Sequence, residues 1–274
     1  MSARAAACIA IPCYRAEMLA HETIALERCV DVLAAHPKIL VAPQSLDLEP
    51  LLVRHADLRV ERFADEFFSG IAGYNRLMLS DEFYARFEHY DFMLVHQLDC
   101  FVFSDQLSSW CAKGYDYVGA PWLPPGPTPN FLQDVRNATR RTRARRENKD
   151  FSLQYFYGVG NGGFSLRRIT AMRQTLRDLQ SQAAEYRLQN TPLCNEDLFF
   201  GIEANRFRRH LRLPSYKVAT KFAWETEPSK AAAMNRGRLP FGCHGWNKLH
   251  REEWRPVFAQ LGYSIDAVLD VDTR

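Results

Sequence analysis

Four short segments of this 274-residue chain carry side chains that could do chemistry. They lie at residues 91–99, 157–166, 195–201 and 241–246. The first is an apolar run ending in a carboxylate, the second is rich in glycine, the third holds an acidic pair and the fourth a histidine. A carboxylate and an imidazole can hold a divalent cation, glycines let the backbone approach a ligand, and another carboxylate can accept a proton. This order favours a site for sugar transfer from a nucleotide-sugar donor.

Asp99 follows a predicted apolar strand at residues 91–95. In open parallel sheets, ligands gather beyond the carboxyl ends of the strands. Mg²⁺ or Mn²⁺ binds through one or two carboxylates plus substrate phosphates, so Asp99 alone would be sufficient. The alternative is that Asp99 only caps a turn, and the local sequence does not separate the two. His96 is more typical of a packed strand residue than of a ligand.

Four glycines surround Asn161 within six residues, namely Gly158, Gly160, Gly162 and Gly163. A glycine has no Cβ, so the backbone can adopt positive φ or come close to a bound molecule. The pattern predicts that Gly162 and Gly163, with Asn161, line a donor sugar. An ordinary tight turn is the alternative.

Glu196 and Asp197 open a predicted helix, where acidic side chains often do no more than stabilise the N-terminus. We expect one of them to do this and the other to face a cleft, where it could deprotonate an acceptor hydroxyl. His244 lies between glycines and is a poor core residue, so a metal-ligand role stays open beside a structural one. Trp246 would stack on a sugar or base, or close the core. Trp122 would form an acceptor-side wall.

The composition is that of a globular protein, with 47% hydrophobic, 24% charged and 12% aromatic residues. A net charge of +3 gives no reason to expect a nucleic-acid partner. Seven cysteines without a Cys-x-x-Cys pair indicate reduced thiols rather than a disulfide scaffold. No window approaches the length of a membrane span, so we expect a cytoplasmic protein, peripheral to a membrane at most.

The order of predicted elements indicates an α/β fold with a mostly parallel sheet, because strands alternate with helices and no hairpin signal joins them. No Gly-x-Gly-x-x-Gly follows the first strand and no Gly-Lys-Ser/Thr loop occurs, which disfavours dinucleotide and P-loop sites. Strands are predicted at residues 6–11, 38–42, 91–95, 115–120 and 217–224, and helices at 23–35, 105–113, 168–187, 196–211 and 252–261.

Residues 123–150 differ in composition from the rest of the chain. They begin with a proline-rich stretch, and a basic run follows that starts at Arg136 and ends at Lys149. Prolines exclude regular structure at the start. The run predicts either a solvated, mobile surface insert or a basic patch that meets an anionic acceptor or membrane surface.

Residues 75–246 resemble a bacterial family of glycosyltransferases, DUF5672, which has a GT-A-like nucleotide-sugar fold. The matching pieces are Tyr74-Asn75-Arg76, Gln97-Leu98-Asp99-Cys-Phe-Val-Phe103, Tyr117-Val-Gly-Ala-Pro-Trp122, Val159-Gly-Asn-Gly-Gly-Phe-Ser-Leu166, Glu196-Asp197 and Gly242-Cys-His-Gly-Trp246. The glycine turn with its later acidic pair is also similar to inverting β-1,3-galactosyltransferases. Gln97 departs from the usual Asp-x-Asp at its first position, which leaves Asp99 as the only carboxylate there.

The resemblance implies one GT-A-like domain over residues 1–274, with an insert at about 123–150. Asp99 and His244 would hold Mn²⁺ or Mg²⁺, and Asp197 would be the catalytic base of an inverting transfer. Donor-binding residues would be Asn75, Arg76, Gln97, Asp99, Asn161, Gly162 and Gly163. Glu196, Trp122 and Trp246 would lie on the acceptor side. The partners would be a nucleotide-sugar donor and a glycan or lipid-linked acceptor of surface polysaccharide or glycolipid synthesis.

Two rival functions stay open from the sequence. One is a sugar- or nucleotide-binding protein without activity on the same fold. The other is a metal-dependent hydrolase or nucleotidyltransferase, although such enzymes generally need more carboxylates around the metal.

Overall fold

The computed structural model describes residues 5–189 and 191–265. Strands within this part are β1 (Ala5–Pro12), β2 (Lys38–Pro43), β3 (Arg59–Phe63), β4 (Tyr90–His96), β5 (Cys100–Val102), β6 (Tyr117–Val118), β7 (Phe164–Arg168), β8 (Ala223–Trp224) and β9 (Gly242–His244). Helices are α1 (Ala20–Val32), α2 (Glu49–Arg54), α3 (Gly70–Met78), α4 (Asp81–Ala85), α5 (Leu107–Ala112), α6 (Phe131–Glu147), α7 (Phe151–Tyr155), α8 (Ile169–Asp178), α9 (Gln180–Leu188), α10 (Glu196–Gly201), α11 (Tyr216–Ala219), α12 (Pro228–Met234) and α13 (Arg251–Gln260).

The main sheet has six strands in the order β3-β2-β1-β4-β7-β6. The first four in this order are parallel to one another, whereas β7 runs antiparallel to both β4 and β6. The carboxyl ends of β1 to β4 therefore lie at one edge. The mostly parallel α/β sheet that the sequence predicts is confirmed. A second, small sheet has the order β5-β9-β8.

Both faces of the main sheet are buried, because apolar residues on its central strands alternate between two cores. On β1, Ile9 and Ile11 point into one cluster, together with residues of α1 and α5. Cys8 and Ala10 point into the other, with residues of α3, α4 and α8. Helices thus cover the sheet on both sides and leave its carboxyl edge for polar groups.

The predicted helix at residues 196–211 is wrong beyond its first six residues. α10 ends at Gly201, where the backbone packs so closely on Val159 and Trp122 that a Cβ would collide. A few residues later, Asn205 turns the chain, since its Oδ1 accepts hydrogen bonds from the backbone N–H groups of His210 and Leu211 at 2.9 Å each.

The predicted strand at residues 217–224 is wrong except for its last two residues. α11 covers its first half and buries Tyr216 and Ala219, and only Ala223 and Trp224 form β8. The predicted helix at residues 168–187 is divided at Leu179 into α8 and α9. This bend lets Leu176 and Ala183 reach the same apolar cluster.

The basic run forms a helix. α6 begins at a capping box, in which Asn130 Oδ1 accepts from Gln133 N and Gln133 Oε1 accepts from Asn130 N, both at 3.0 Å. The preceding proline-rich residues have no regular structure, as predicted. Most of the arginines of α6 lie on its exposed side, but Arg141 and Arg145 are partly buried.

All seven cysteines are free, and six of them are buried, which confirms the expectation of reduced thiols. Within residues 5–189 and 191–265, no helix has both the length and the apolar character that crossing a membrane requires.

Candidate active site

Strand pairing brings Asp99 and His244 together from distant parts of the chain. Asp99 comes just before β5, and β5 pairs antiparallel with β9 so that Cys100 lies opposite His244. The backbone N–H of Gly245 donates to the carbonyl of Asp99 at 2.9 Å and fixes this register. Glu225 joins them because it follows β8, whose Trp224 is the partner of Cys243 on β9. Three short strands thus place two carboxylates and an imidazole at one point.

We call Gln97, Asp99, Glu225 and His244 the His244 cluster. Nε2 of His244 lies 3.1 Å from Asp99 Oδ1 and 3.2 Å from Gln97 Oε1. Its Nδ1 lies 2.8 Å from Glu225 Oε1. A histidine metal ligand usually donates its second N–H to a carboxylate, which orients the ring. Glu225 is in the position to do this, which leaves Nε2 to face Asp99 and Gln97.

Charge within the His244 cluster is balanced by a proton when no cation is bound. Burial opposes the charged imidazole, but the carboxylates of Asp99 and Glu225 raise the pKa of His244 well above its usual value. Burial likewise opposes the charged form of Asp99, yet the charges of His244 and Lys248 hold the pKa of this carboxyl below its usual range. A divalent cation would replace the proton between Asp99 and His244, because both must be deprotonated to act as ligands.

The atoms of the His244 cluster fit a hard cation. Asp99 Oδ1 and Gln97 Oε1 lie 3.1 and 3.2 Å from His244 Nε2. A carboxylate oxygen, a carbonyl oxygen and an imidazole nitrogen form a donor set that suits Mn²⁺. Gln97 keeps a carbonyl oxygen where the usual motif has a carboxylate, so its position still offers a ligand. Cys100 lies close by but donates its thiol to the carbonyl of Gly163 at 3.2 Å, and burial raises its pKa well above the ordinary value.

The glycine turn packs directly against the side chains of the His244 cluster. Asn161 has φ of 64°, in the left-handed region, and its Oδ1 accepts from the backbone N–H of Gly163 at 3.0 Å. A Cβ on Gly163 would collide with His244 Nε2 and Gln97 Oε1, and one on Gly162 would collide with the carboxylate of Glu196. These glycines are therefore required by side chains of the site, and their predicted contact with a donor sugar stays a prediction.

A buried ion pair lies next to this turn, and we call Arg167 and Glu196 the Arg167 pair. Arg167 Nη2 lies 2.7 Å from Glu196 Oε1, and the two side chains are 0% and 3% exposed. Arg167 also donates to the hydroxyl of Tyr84 at 2.9 Å and to the carbonyl of Gly162 at 3.2 Å. The sequence assigned Glu196 to a helix terminus and the acceptor side. Glu196 does begin α10, but its side chain is buried in the ion pair with Arg167.

Asn75 holds the start of α10 in place. Its Oδ1 accepts from the backbone N–H of Glu196 at 3.2 Å, and its Nδ2 donates to Asn195 Oδ1 at 3.0 Å. Asn75 is itself buried, so in this structure it positions the acidic pair. Arg76 points the other way and donates to the carbonyl of Glu66 at 3.1 Å.

Asp197 is the partly exposed member of the acidic pair. One of its oxygens accepts from the backbone N–H of Leu198 at 2.8 Å. Burial, reinforced by the negative charges of Glu196 and Glu225, raises the pKa of Asp197 to about 7. A carboxylate tuned to this range can accept a proton near neutral pH, which is what a general base requires.

The two tryptophans that the sequence predicted on the acceptor side are buried. Trp122 is 2% exposed and packs on Gly160, while Tyr155 of α7 stacks on its ring with centroids 4.5 Å apart. Tyr155 is partly exposed. Burial, reinforced by the charges of Glu225 and Asp197, raises the pKa of its hydroxyl above the usual value. Trp246 is 0% exposed and packs against Phe258. The exposed aromatic surface near Asp197 therefore belongs to Tyr155.

Sequence reasoning missed three residues of this site, namely Arg167, Tyr155 and Glu225. Glu225 carried a usable signal, since it is an acidic residue directly after a predicted strand, as Asp99 is. Arg167 carried a weaker one, a charge within the apolar run that begins at Phe164. Nothing local marked Tyr155.

Comparison with solved structures finds the same fold in glycosyltransferases. The galactosyltransferase LgtC, in complex with donor and acceptor sugar analogues, is similar with a TM-score of 0.53 and 12% identity, over 94% of this chain and 98% of that one. An active-site mutant of LgtC gives a TM-score of 0.52 and 12% identity, over 92% and 95%. Mouse xyloside xylosyltransferase 1 gives 0.47 and 13%, over 88% and 97%.

The likeness to LgtC confirms the GT-A-like α/β fold that the resemblance implied. A search of curated proteins finds no match. At the level of sequence, residues 57–244 match the family described as "Protein of unknown function (DUF5672)". The chain belongs to the DUF5672 family.

Proposed function

We propose that this protein is a glycosyltransferase that moves a sugar from a nucleotide-sugar donor to a hydroxyl group of an acceptor. The observation that carries the proposal is the convergence of Asp99 Oδ1, Gln97 Oε1 and His244 Nε2 beyond the end of β4, with Glu225 behind the imidazole. The fold shared with LgtC supports it.

In this proposal Asp99 and His244 are the protein ligands of Mn²⁺ or Mg²⁺, and Gln97 adds an oxygen. When bound, the cation would neutralise charge on the donor diphosphate and on the leaving nucleotide. Glu225 would accept a hydrogen bond from Nδ1–H of His244 and so orient the imidazole with Nε2 toward the cation. Asn161, Gly162 and Gly163 shape the donor side of the same corner.

Asp197 is the base in the proposed reaction. One carboxylate oxygen of Asp197 would take the proton of the acceptor hydroxyl while the acceptor oxygen attacks the anomeric carbon. The nucleoside diphosphate leaves from the opposite side, so the configuration at the anomeric carbon is inverted. Its raised pKa fits this role, because a base near neutrality is both ionised and basic enough. Tyr155, stacked on Trp122, offers a ring against which an acceptor sugar can pack.

The acceptor class that the surface supports is a glycan or a lipid-linked glycan. Phe131 and Leu132 are each 76% exposed at the start of α6, and Arg136 and Arg140 follow on its exposed side. Apolar and basic side chains on one helix suit an anionic membrane surface at which such acceptors are assembled. This part of the proposal places the protein on the cytoplasmic side of a membrane.

The test begins with donor binding. Nucleotide sugars are screened for thermal stabilisation with and without Mn²⁺, since a ligand at 100 times its dissociation constant adds about 2.7 kcal/mol. Asp99→Ala should lose the metal-dependent stabilisation while its melting without ligand stays close to that of the wild type. The matched control is Asp57→Ala, because Asp57 is an exposed aspartate between α2 and β3, outside the His244 cluster. Unchanged stabilisation of Asp99→Ala would show that Asp99 is structural.

Products then separate the rival functions. With the stabilising donor, transfer yields a glycosylated acceptor and a nucleoside diphosphate, whereas a hydrolase releases free sugar and a nucleotidyltransferase breaks the diphosphate. A binding protein leaves the donor intact over many hours. Only the first outcome supports the proposal.

A further inference from the structure

A second cleft, about 630 Å³ in volume, lies between α6 and the loop that precedes α11. None of Asp99, His244 and Asp197 lines it. The charged and aromatic side chains that line it are Asp134, Arg141, Arg145, Tyr157, Arg209 and Tyr216. The α6 residues among them recur at spacings of three and four with Ala138, so one face of the helix forms a wall of the cleft. Three arginines against one aspartate make the lining as a whole cationic.

Arg141 is partly buried in this cleft without a matching acceptor. In the part of the chain that the structure describes, its guanidinium donates no hydrogen bond and joins no ion pair, and burial lowers its pKa. The negative charge of Asp134 acts on Arg141, but the carboxylate of Asp134 contacts the Tyr216 hydroxyl at 3.0 Å and Lys217 Nζ at 2.7 Å instead. A partly buried charge without a partner is costly, unless a ligand supplies one.

Arg145, one turn further along α6, has a single hydrogen-bond acceptor among the residues that the structure describes, and this acceptor is a carbonyl. Its Nε and Nη2 donate to the backbone oxygen of Gln154 at 3.1 and 2.9 Å. Burial, reinforced by the charges of Arg141 and Arg206, lowers its pKa to about 10. The guanidinium groups of Arg141 and Arg145 thus both line the cleft, one helical turn apart. A bound anion would offset their positive charges.

The opposite wall of the cleft is aromatic. The rings of Tyr157 and Tyr216 lie with centroids 4.8 Å apart. One guanidinium group can donate two parallel hydrogen bonds to two oxygens of a phosphate. An aromatic ring offers an apolar face against which a sugar can pack. The volume exceeds that of a phosphate ion and falls within the range of small-molecule sites.

We propose that this cleft binds a phosphorylated sugar, with Arg141 and Arg145 on the phosphate group and Tyr157 and Tyr216 beside the sugar. The site goes beyond the proposed transferase function, because it uses none of the residues of the His244 cluster and needs no cation. The phosphate would come either from a free sugar phosphate or from a lipid-linked one, and the two share this recognition.

The first experiment measures binding of inorganic pyrophosphate by calorimetry, in EDTA and at constant ionic strength. EDTA removes cations, so the donor site does not contribute, and Asp99→Ala should bind pyrophosphate as the wild type does. Arg141→Gln should weaken binding at least about tenfold, since charge-assisted hydrogen bonds to phosphate are lost. Arg140→Gln, on the exposed side of the same helix, should stay within about twofold. Equal losses in the two variants, or no saturable binding, would overturn the site.

The second experiment identifies the source of the phosphate. Bound pyrophosphate is challenged with glucose 1-phosphate, and separately with vesicles that contain phosphatidic acid. Displacement by glucose 1-phosphate alone supports a free sugar phosphate, and displacement by the vesicles as well supports a lipid-linked one. If neither displaces pyrophosphate, the cleft binds inorganic anions only and the proposal of a sugar phosphate is wrong.

Discussion

The His244 cluster and the Arg167 pair lie near the same glycine turn, but they differ in access to solvent. The side chains of His244, Asp99 and Glu225 are 17%, 14% and 16% exposed, whereas Arg167 and Glu196 are 0% and 3% exposed. In the first, a proton can leave and a cation can enter. In the second, each charge is permanently matched by the other. Similar groups thus form an exchangeable site in one place and a rigid support in the other.

Asp197 lies at the boundary between these two regions. It follows Glu196 in sequence, yet it forms no ion pair within residues 5–189 and 191–265, and the negative charges of Glu196 and Glu225 raise its pKa further. Its neighbour Glu196 forms an ion pair with Arg167, whereas burial raises the pKa of Asp197 to about 7. The contrast predicts that substitutions at adjacent positions act on different properties, one on rate and the other on folding.

The largest effect is expected for Asp197→Asn. The substitution keeps the size of the side chain but removes its ability to accept a proton, and general bases contribute about 10²–10⁴-fold. Transfer should fall by that factor, while donor affinity in the presence of Mn²⁺ stays within a few-fold. Steady-state kinetics with the identified donor and a donor-binding titration measure the two quantities. Near-normal turnover would remove Asp197 as the base.

Glu196→Gln should act mainly on stability. Removing one partner of a buried ion pair leaves the other charge uncompensated and costs about 3–5 kcal/mol. Urea unfolding monitored by tryptophan fluorescence measures this loss in the metal-free protein. The double variant Arg167→Met with Glu196→Leu should lose less than the sum of the two single substitutions. A stable Glu196→Gln protein with a greater loss of transfer than Asp197→Asn would reverse the assignment of the acidic pair.

Glu225→Gln tests whether the His244 cluster is organised as a metal site. Loss of a carboxylate behind a histidine ligand typically weakens metal binding about 10–100-fold. Mn²⁺ affinity, followed by calorimetry, should fall in this range without a large change in unfolding free energy. Glu227→Gln, two residues further on, is the control and should bind as the wild type does. Equal affinities in all three proteins would mean that the imidazole is not a ligand.

The smallest effect is expected from pH. Asp197 must be ionised to accept a proton, and its pKa is raised to about 7, so the active form is lost as pH falls through that value. Below this pH, kcat/KM should decrease about tenfold per unit, and above it the profile should level. Asp197→Asn should lack this limb. A wild-type profile that stays flat from pH 5 to 8 would contradict the assigned environment of the carboxylate.

The sequence predicted the parts of the fold whose signals are local. The strands around Ile9, Val41 and Leu94 are continuous apolar runs bounded by prolines or polar residues, and such runs need no partner to be recognised. Asp99 was found for the same reason, because it ends one of these runs. His244, its proposed partner in holding a cation, was predicted from its glycine neighbours and from the resemblance.

The missed features depend on contacts between distant residues. Gly201 ends α10 because Val159 and Trp122 occupy the space beside it, and neither is near in sequence. Glu196 reads as a helix-terminal charge until Arg167, 29 residues earlier, is seen to pair with it. The helix under the basic run is a different case. The capping box at Asn130 and Gln133 can be recognised in the sequence, but the charge density that follows favoured a solvated surface insert over a helix.

The small β5-β9-β8 sheet gives the proposed cation a role beyond chemistry. It joins Gln97 to His244 across 147 positions of sequence, yet its strands are only three, three and two residues long. A cation shared by Asp99 and His244 would close that long loop more firmly than so few backbone hydrogen bonds can. The amide hydrogens of β8 and β9 should then exchange with solvent more slowly when Mn²⁺ is present. The cation would then stabilise the segment from β8 to β9 as well as bind the donor.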